Sequence, residues 1–378
     1  MKKTLWMLGV AVAALTSCTQ SEVLDVPESR VIGFEPFVGK STRAGDVKAT
    51  MLVGATGGEN DLKNFWVFGN YTGTESDEGT PFDGGDNSKL YWDATNSAFK
   101  YDNARQWHKG IYHFAAYSNG NEKINNGVAF SSTSTPTPTS TLTFTEYVNN
   151  GNQDLVAAIP AQIEKDETNM DAGVPLDFKH MLACIELEFT NNSPTNGGYY
   201  LDFQDLMFSA NSKATCTYDG TTINWVDDST PKEYEFKTNI YNHDVNATEN
   251  KDPAVLLGPS DKAKFHCFVI PQSNATVELT FKIASYTRAP QLDGSGNEVK
   301  DPSGNTVYDY TYTSTEPYEA SLSISTSGHT SWQPGILYKY TASVSGQTHY
   351  INFTVTSFEG WTTTGKPSVD TPISPTDN

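Results

Sequence analysis

The chain has 378 residues, with 25 Lys+Arg against 45 Asp+Glu and a formal net charge of −20. Only 19% of residues are charged while 12% are aromatic, with 29 Gly and 19 Pro; this is the profile of aromatic strands joined by many turns, and helical bundles are excluded. The length suits about two domains, and so negative a chain is excluded as a nucleic-acid binder, because phosphates require Lys and Arg.

Lys2 and Lys3 precede an apolar stretch at 5–15 (LWMLGVAVAAL). That stretch is too short for a bilayer core, which takes ~20 helical residues, and has the form of a secretory signal. It ends in Leu15-Thr16-Ser17-Cys18, which resembles a bacterial lipoprotein box. The resemblance implies removal of residues 1–17 and acylation of Cys18 on its sulfur and amine. More than one lipid chain, at about 0.8 kcal/mol per buried CH₂, gives a stable anchor.

Residues 19–30 are polar and read as a tether. A strand-like segment follows, with Val31, Ile32, Phe34, Phe37 and Val38 interrupted by Pro36, and a proline there implies an edge or end position. It stops at Ser41-Thr42-Arg43-Ala44-Gly45, a turn with one basic residue. Short apolar-aromatic runs come next at 65–71 (FWVFGNY), 89–92, 110–117 (GIYHFAAY), 140–147 (STLTFTEY) and 154–159. Between them lie Gly/Ser/Thr/Pro-rich loops, and no long window has helical apolar spacing. Residues 160–175 are polar and read as the connection between two domains.

The second half opens with 176–189 (LDFKHMLACIELEF), where Cys184, Glu186 and Glu188 face one way and Ile185, Leu187 and Phe189 the other. Further strands are expected at 199–208, 214–218, 264–271, 275–284, 306–312, 319–324, 336–344 and 350–358. Asp219-Gly220 and Gly304-Asn305 signal hairpins. Short strands at this spacing predict all-β sandwiches.

Catalytic and metal motifs are missing: there is no GxSxG, HExxH, P-loop or strand-borne GxGxxG. Cys184, Cys216 and Cys267 lie in strand-like runs and read as buried thiols. His113 and His180 read as core or edge histidines. Asp83-Gly84-Gly85-Asp86-Asn87 and Asp293-Gly294-Ser295-Gly296-Asn297 read as turns; the second has Gly304 where a calcium loop needs a bidentate Glu. Tyr91, Trp92, Trp107 and Trp225 read as loop aromatics able to stack on sugars, although the seven Trp of a two-sandwich protein need only core roles. No cofactor, metal or catalytic residue is expected.

In order along the chain stand Cys18, Thr42-Arg43-Ala44, Phe65-Trp66-Val67-Phe68-Gly69, Tyr112-His113-Phe114-Ala115-Ala116-Tyr117 and Asp154-Leu155-Val156-Ala157-Ala158. Then come Phe178-Lys179-His180-Met181-Leu182-Ala183, Val269-Ile270-Pro271-Gln272, Trp332-Gln333-Pro334-Gly335-Ile336-Leu337-Tyr338, and Ile351-Asn352-Phe353-Thr354-Val355 leading to Trp361. This series resembles the fimbrillin (Mfa-like, type V pilin) family of Bacteroidetes. The resemblance implies two tandem Greek-key, transthyretin-like β-sandwiches: 1–17 signal, 18–44 lipidated tether and removable first strand, 45–170 N-terminal sandwich, 171–378 C-terminal sandwich and tail.

It also implies an outer-membrane, lipid-anchored surface protein that assembles into a fimbrium and mediates adhesion to a host or bacterial surface. In the family an arginine-specific protease cuts after the first strand, here between Arg43 and Ala44, with Arg30 a second basic position. Loss of 31–38 opens a groove that a strand of another fimbrial subunit fills. After Trp361 the tail carries Pro367, Pro372 and Pro375, with only Val369 and Ile373 as sizeable apolar residues. It makes a poor donor strand, which favours a minor, tip or anchor subunit. The alternative is a glycan-binding surface lipoprotein that does not polymerise.

Overall fold

The computed structural model describes residues 31–37, 62–73, 79–93, 95, 98–134, 137–170, 173–227, 231–235, 237–238, 256–273, 276–323, 331–344 and 354–360. The first half carries β1 (Phe34–Phe37), β2 (Asn64–Gly73), β3 (Gly79–Asp83), β4 (Lys89–Asp93), β5 (Ala98–Lys100) and β6 (Gly110–Asn119). It continues with β7 (Val128–Thr133), β8 (Thr139–Val148), β9 (Leu155–Ala158), β10 (Ile163–Lys165), β11 (Val174–Asp177) and β12 (Lys179–His180).

The second half holds β13 (Ala183–Asn191), β14 (Tyr200–Asn211), β15 (Lys213–Tyr218), β16 (Ile223–Asp227), β17 (Pro231–Glu235), β18 (Lys237–Thr238) and β19 (Lys262–Val269). It ends with β20 (Gln272–Ser273), β21 (Thr276–Pro290), β22 (Tyr308–Ser323), β23 (Ser331–Trp332), β24 (Ile336–Val344) and β25 (Thr354–Gly360). The fold is all-β, as its composition requires.

An eight-stranded sheet of order β12-β9-β6-β2-β4-β5, with β10 on β6 and β3 on β2, dominates the first half. Its central strands do not alternate in sequence because both of their faces are buried. Phe65, Val67, Phe114, Ala116, Val156 and Ala158 enter one core, while Trp66, Ala115, Tyr117, Leu155 and Ala157 enter another. The second face packs on a four-stranded sheet, β16-β15-β8-β7. Trp66 stacks on Tyr117 with centroids 5.9 Å apart, and Tyr117 meets Phe144 edge-on at 5.7 Å.

This second sheet joins the halves, since β7 and β8 precede residue 170 whereas β15 and β16 follow it. Residues 174–180, which the sequence assigned to the second domain, also lie against the first sheet: β11 pairs with β1, and β12 pairs with β9. Within the polar 160–175 stretch, Ile163–Lys165 form β10 on β6. Its polarity has a local cause, because β10 is an edge strand whose Lys165 ammonium sits 4.2 Å over the Trp107 ring and donates to the Asn169 carbonyl. The seam is closed by Asn149, whose side chain donates to Phe268 O and accepts from Gly151 N. Gly151 has φ +82, and a Cβ there would stand 2.9 Å from Cys267 Sγ.

In the second half, the sheet β18-β19-β13-β24-β25 faces β17-β14-β21-β22. Ile185, Leu187 and Phe189 point into the core between them, with Phe189 and Phe203 centroids 4.4 Å apart. The two strands expected at 306–312 and 319–324 are one, β22, hydrogen-bonded to β21 along its whole length. β7 and β16 were not evident in the sequence; β7 has no fully buried side chain, so burial leaves no apolar run to read. Cys184, Cys216 and Cys267 are buried free thiols, and burial pushes Cys216 up to about 12.

On the outer face of β13, Glu186 bonds His266 Nε2 at 2.8 Å and lies 3.3 Å from Lys339, while Glu188 pairs with Lys262 at 2.7 Å and Lys339 at 2.8 Å. Burial alone would raise both carboxyls, but the hydrogen bonds and these cations win and bring each down to about 2. The folded values therefore lie below the unfolded one near 4.5, so the network stabilises the fold above pH 4.5. That contribution is lost as pH falls from about 4.5 to about 2. Denaturant midpoints across this interval should fall steeply for the unaltered chain. A Glu186→Gln/Glu188→Gln variant should be less stable at pH 6 and converge with it near pH 2.

Candidate functional site

The segment 31–37 is short, carries a proline and is distant in sequence from everything it touches, yet it is built into the first core. Val31 bridges to Gln106, and Ile32 N donates to Arg105 O at 2.8 Å. The Tyr101 hydroxyl donates to Ile32 O at 2.9 Å. β1 then runs parallel to β11, with Phe34 opposite Val174 and Pro36 opposite Leu176. Val174 N donates to Gly33 O at 2.8 Å, which sets the phase of the ladder. Gly33, Glu35 and Phe37 face β11 through their backbones, and Pro36 and Pro175 turn their missing N–H groups outward. The proline expected to mark an edge strand does so.

Two side chains plug the segment into place. Ile32 is 0% exposed. The Phe34 ring sits edge-on to Phe82 at 5.2 Å, Phe114 at 5.5 Å and Tyr101 at 6.3 Å. The Arg105 guanidinium caps the far side of Phe82 at 4.0 Å. Val174, Leu176 and Phe178 complete the walls. With β1 withdrawn, this is an apolar trench one strand wide, bordered by the free backbone edge of β11. Of the expected pegs Ile32, Phe34 and Phe37, the first two enter it and the side chain of Phe37 lies outside the described ones, while Glu35 is exposed.

The expected lipidation residue Cys18, the expected cleavage pair Arg43 and Ala44, Val38 and the tail after 361 lie outside the described residues. The trench walls Phe82, Tyr101, Val174 and Leu176 were not anticipated as parts of a site. The alternation in Val174-Pro175-Leu176-Asp177 was the one local sign, but a parallel pairing across some 140 residues has no local signature.

Other expectations are corrected. Trp107 is no exposed sugar platform: it is 2% exposed and edge-on to Tyr112 at 4.8 Å. Trp225 lies on β16 with its indole N–H donating to Met181 O, and Trp92 packs on Phe99 within β4–β5. Tyr91 is exposed, but on strand β4. These runs alternate, so a strand exposes one aromatic and buries the next. His113 is buried between Ser140 and Ser134 hydroxyls; burial pushes its pKa down. His180 bonds buried Asp154 at 2.5 Å, whose carboxyl burial pushes up and His180 pulls back. The Asp83 and Asp293 carboxylates cap their own loops, accepting from Gly85 N and Ser88, and from Ser295 N and Asn297 N.

A family model described as fimbrillin-like matches residues 49–361. Among solved structures, a fimbrial protein from Bacteroides vulgatus is 17% identical, with 88% of this chain and 100% of that one covered and a TM-score of 0.48. A candidate cell adhesion protein from Bacteroides uniformis is 16% identical over the same shares, at 0.44. The fimbrial anchor protein Mfa2 from Porphyromonas gingivalis is 9% identical, covering 79% of this chain and 89% of that one, at 0.27. Such distant likenesses carry no functional argument; the family match does. Comparison with curated proteins gives no match.

Phe34→Ala should lower unfolding free energy by about 2–3 kcal/mol, because it empties part of an aromatic core. Glu35→Gln, on the exposed side of the same strand, should stay within about 0.5 kcal/mol. Urea unfolding of both variants measures the difference.

Proposed function

Because the chain belongs to the fimbrillin-like family, we propose that it is a fimbrial and adhesion subunit of the cell surface whose first strand is exchanged for a strand of another subunit. The observation that carries this reading is the trench: β1 is a four-residue strand, held by one parallel neighbour, with Ile32 and Phe34 filling a core that the rest of the domain leaves open.

The mechanism follows from the chemistry of strand edges. The signal at 1–17 is removed and Cys18, acylated, holds the chain at the outer membrane. Hydrolysis of the Arg43–Ala44 peptide bond severs β1 from the domain that it completes. The segment then remains only through non-covalent contacts: a short ladder at about 0.5–1.5 kcal/mol per hydrogen bond and two apolar plugs at about 1.5–3 kcal/mol each. A longer incoming strand with apolar residues at alternate positions bonds the freed edge of β11 and refills the pockets of Ile32 and Phe34. The driving force is removal of water from Phe82, Phe114, Val174 and Leu176.

The proline-rich tail after Trp361 suits a subunit that accepts a strand better than it donates one, hence a minor, tip or anchor position. The role is structural and adhesive, without catalysis.

Fimbriae sheared from cells should contain this chain starting at Ala44. In an Arg43→Ala strain the chain should start at lipidated Cys18 and disappear from the polymer fraction. Terminal mass spectrometry with electron microscopy reads both. A chain in fimbriae that always starts at Cys18, or filaments unchanged in number and length without it, overturns the assignment.

A further inference from the structure

The hairpin β21–β22 carries a second feature that strand exchange does not use. Leu279, Phe281 and Ile283 of β21 point into the core; the register with β22 shifts between Ser285 and Tyr286, and beyond it Tyr286, Arg288 and Pro290 share one face of the hairpin. There Tyr286 stands opposite Tyr312, Arg288 opposite Tyr310 and Pro290 opposite Tyr308, and Tyr200 of β14 lies opposite Tyr286. The sequence Tyr308-Asp309-Tyr310-Thr311-Tyr312 thus places three tyrosines on one face by strand alternation. Tyr312 is 56% exposed and Arg288 is exposed as well.

Arg288 is held by rings alone. Its guanidinium lies 4.0 Å from the Tyr308 centroid and 4.9 Å from that of Tyr200. Tyr200 meets Tyr310 edge-on at 5.1 Å, and Tyr286 meets Tyr312 at 5.8 Å, so the platform is interlocked and its arginine pre-oriented. Among the described residues, no carboxylate or carbonyl accepts a hydrogen bond from this guanidinium, in a chain with 45 acidic residues. Its donors face solvent in the planar fork that matches a carboxylate. Tyrosine rings beside it supply rigid apolar faces with hydroxyl rims, suited to the C–H faces and hydroxyls of a sugar.

We propose that the Tyr200–Tyr286–Arg288–Tyr308–Tyr310–Tyr312 face binds glycans that end in a carboxylate-bearing sugar. The carboxylate pairs with Arg288 and the pyranose ring lies on the tyrosines. The overall charge of −20 does not oppose this, because the screening length is about 8 Å at physiological ionic strength and the local charge decides. Binding here is independent of the trench, so it belongs to the subunit whether or not the subunit polymerises.

The test is binding of the full chain to matched oligosaccharides ending in a sialic acid, a uronic acid or a neutral hexose, by array and then calorimetry. One or both acidic series should bind, and which one does identifies the source of the carboxylate. The neutral series should bind at least tenfold more weakly. Arg288→Gln and Tyr310→Ala should each weaken binding at least tenfold, Arg288→Lys less, with the thermal midpoint of Arg288→Gln unchanged because its side chain is exposed. Arg43→Ala should bind as the unaltered chain does, which separates this site from strand exchange. No binding to either acidic series at millimolar concentration, equal binding of the neutral series, or undiminished binding by Arg288→Gln overturns the proposal.

Discussion

The structure depends on one constraint: its largest sheet is apolar on both faces and so needs two covers. Phe65, Val67 and Phe114 on one side, and Trp66, Ala115 and Tyr117 on the other, cannot face water. One cover is the four-stranded sheet β16-β15-β8-β7, which takes strands from both halves and thereby couples them. The other includes β1 and β11, a parallel pair only four residues long. The two covers differ in size and in how they are attached. The four-stranded sheet carries its own buried aromatics, whereas β1 is four residues long and pairs with one strand.

That asymmetry connects packing to assembly. The trench is bounded by β11, which runs on directly into β12 on the first sheet, whereas β1 pairs with β11 alone among the described residues. Under the proposed exchange, a cut at Arg43 acts on the entropy of leaving, since a severed strand gains its full freedom on departure, and a strand from another subunit competes on length and fit. The Tyr/Arg face lies on β21, β22 and β14, apart from β1 and β11, so the proposed ligand contact and the proposed strand exchange fall on separate surfaces.

Much of this architecture was legible in the residues. The runs at 65–71 and 110–117 lack alternation because they are covered twice, and 184–189 alternates because Glu186 and Glu188 face a solvated cation cluster while Ile185, Leu187 and Phe189 face a core. Pro36 marked its strand as an edge. The reading failed where exposure decides. Trp107 and Trp225 looked like loop aromatics but pack inside, and the polar 160–175 stretch resembled a linker although its Lys165 is satisfied by a tryptophan face and a carbonyl. β7 and β16, whose apolar residues are only partly buried, were not read as strands.

By itself the sequence determined the β class, many of the strands and the apolar positions Ile32, Phe34 and Phe37 of the first segment. These follow from side-chain chemistry within a few residues, which spacing and turn types encode directly. Only the tertiary structure decided that β1 lies parallel to β11, that β8 joins β15 across the middle of the chain, and that Arg288 stands between Tyr200 and Tyr308. Each of these brings together residues far apart in the chain. Such pairings are chosen by which apolar faces remain to be covered once the local strands have formed, and no short window of sequence contains that information.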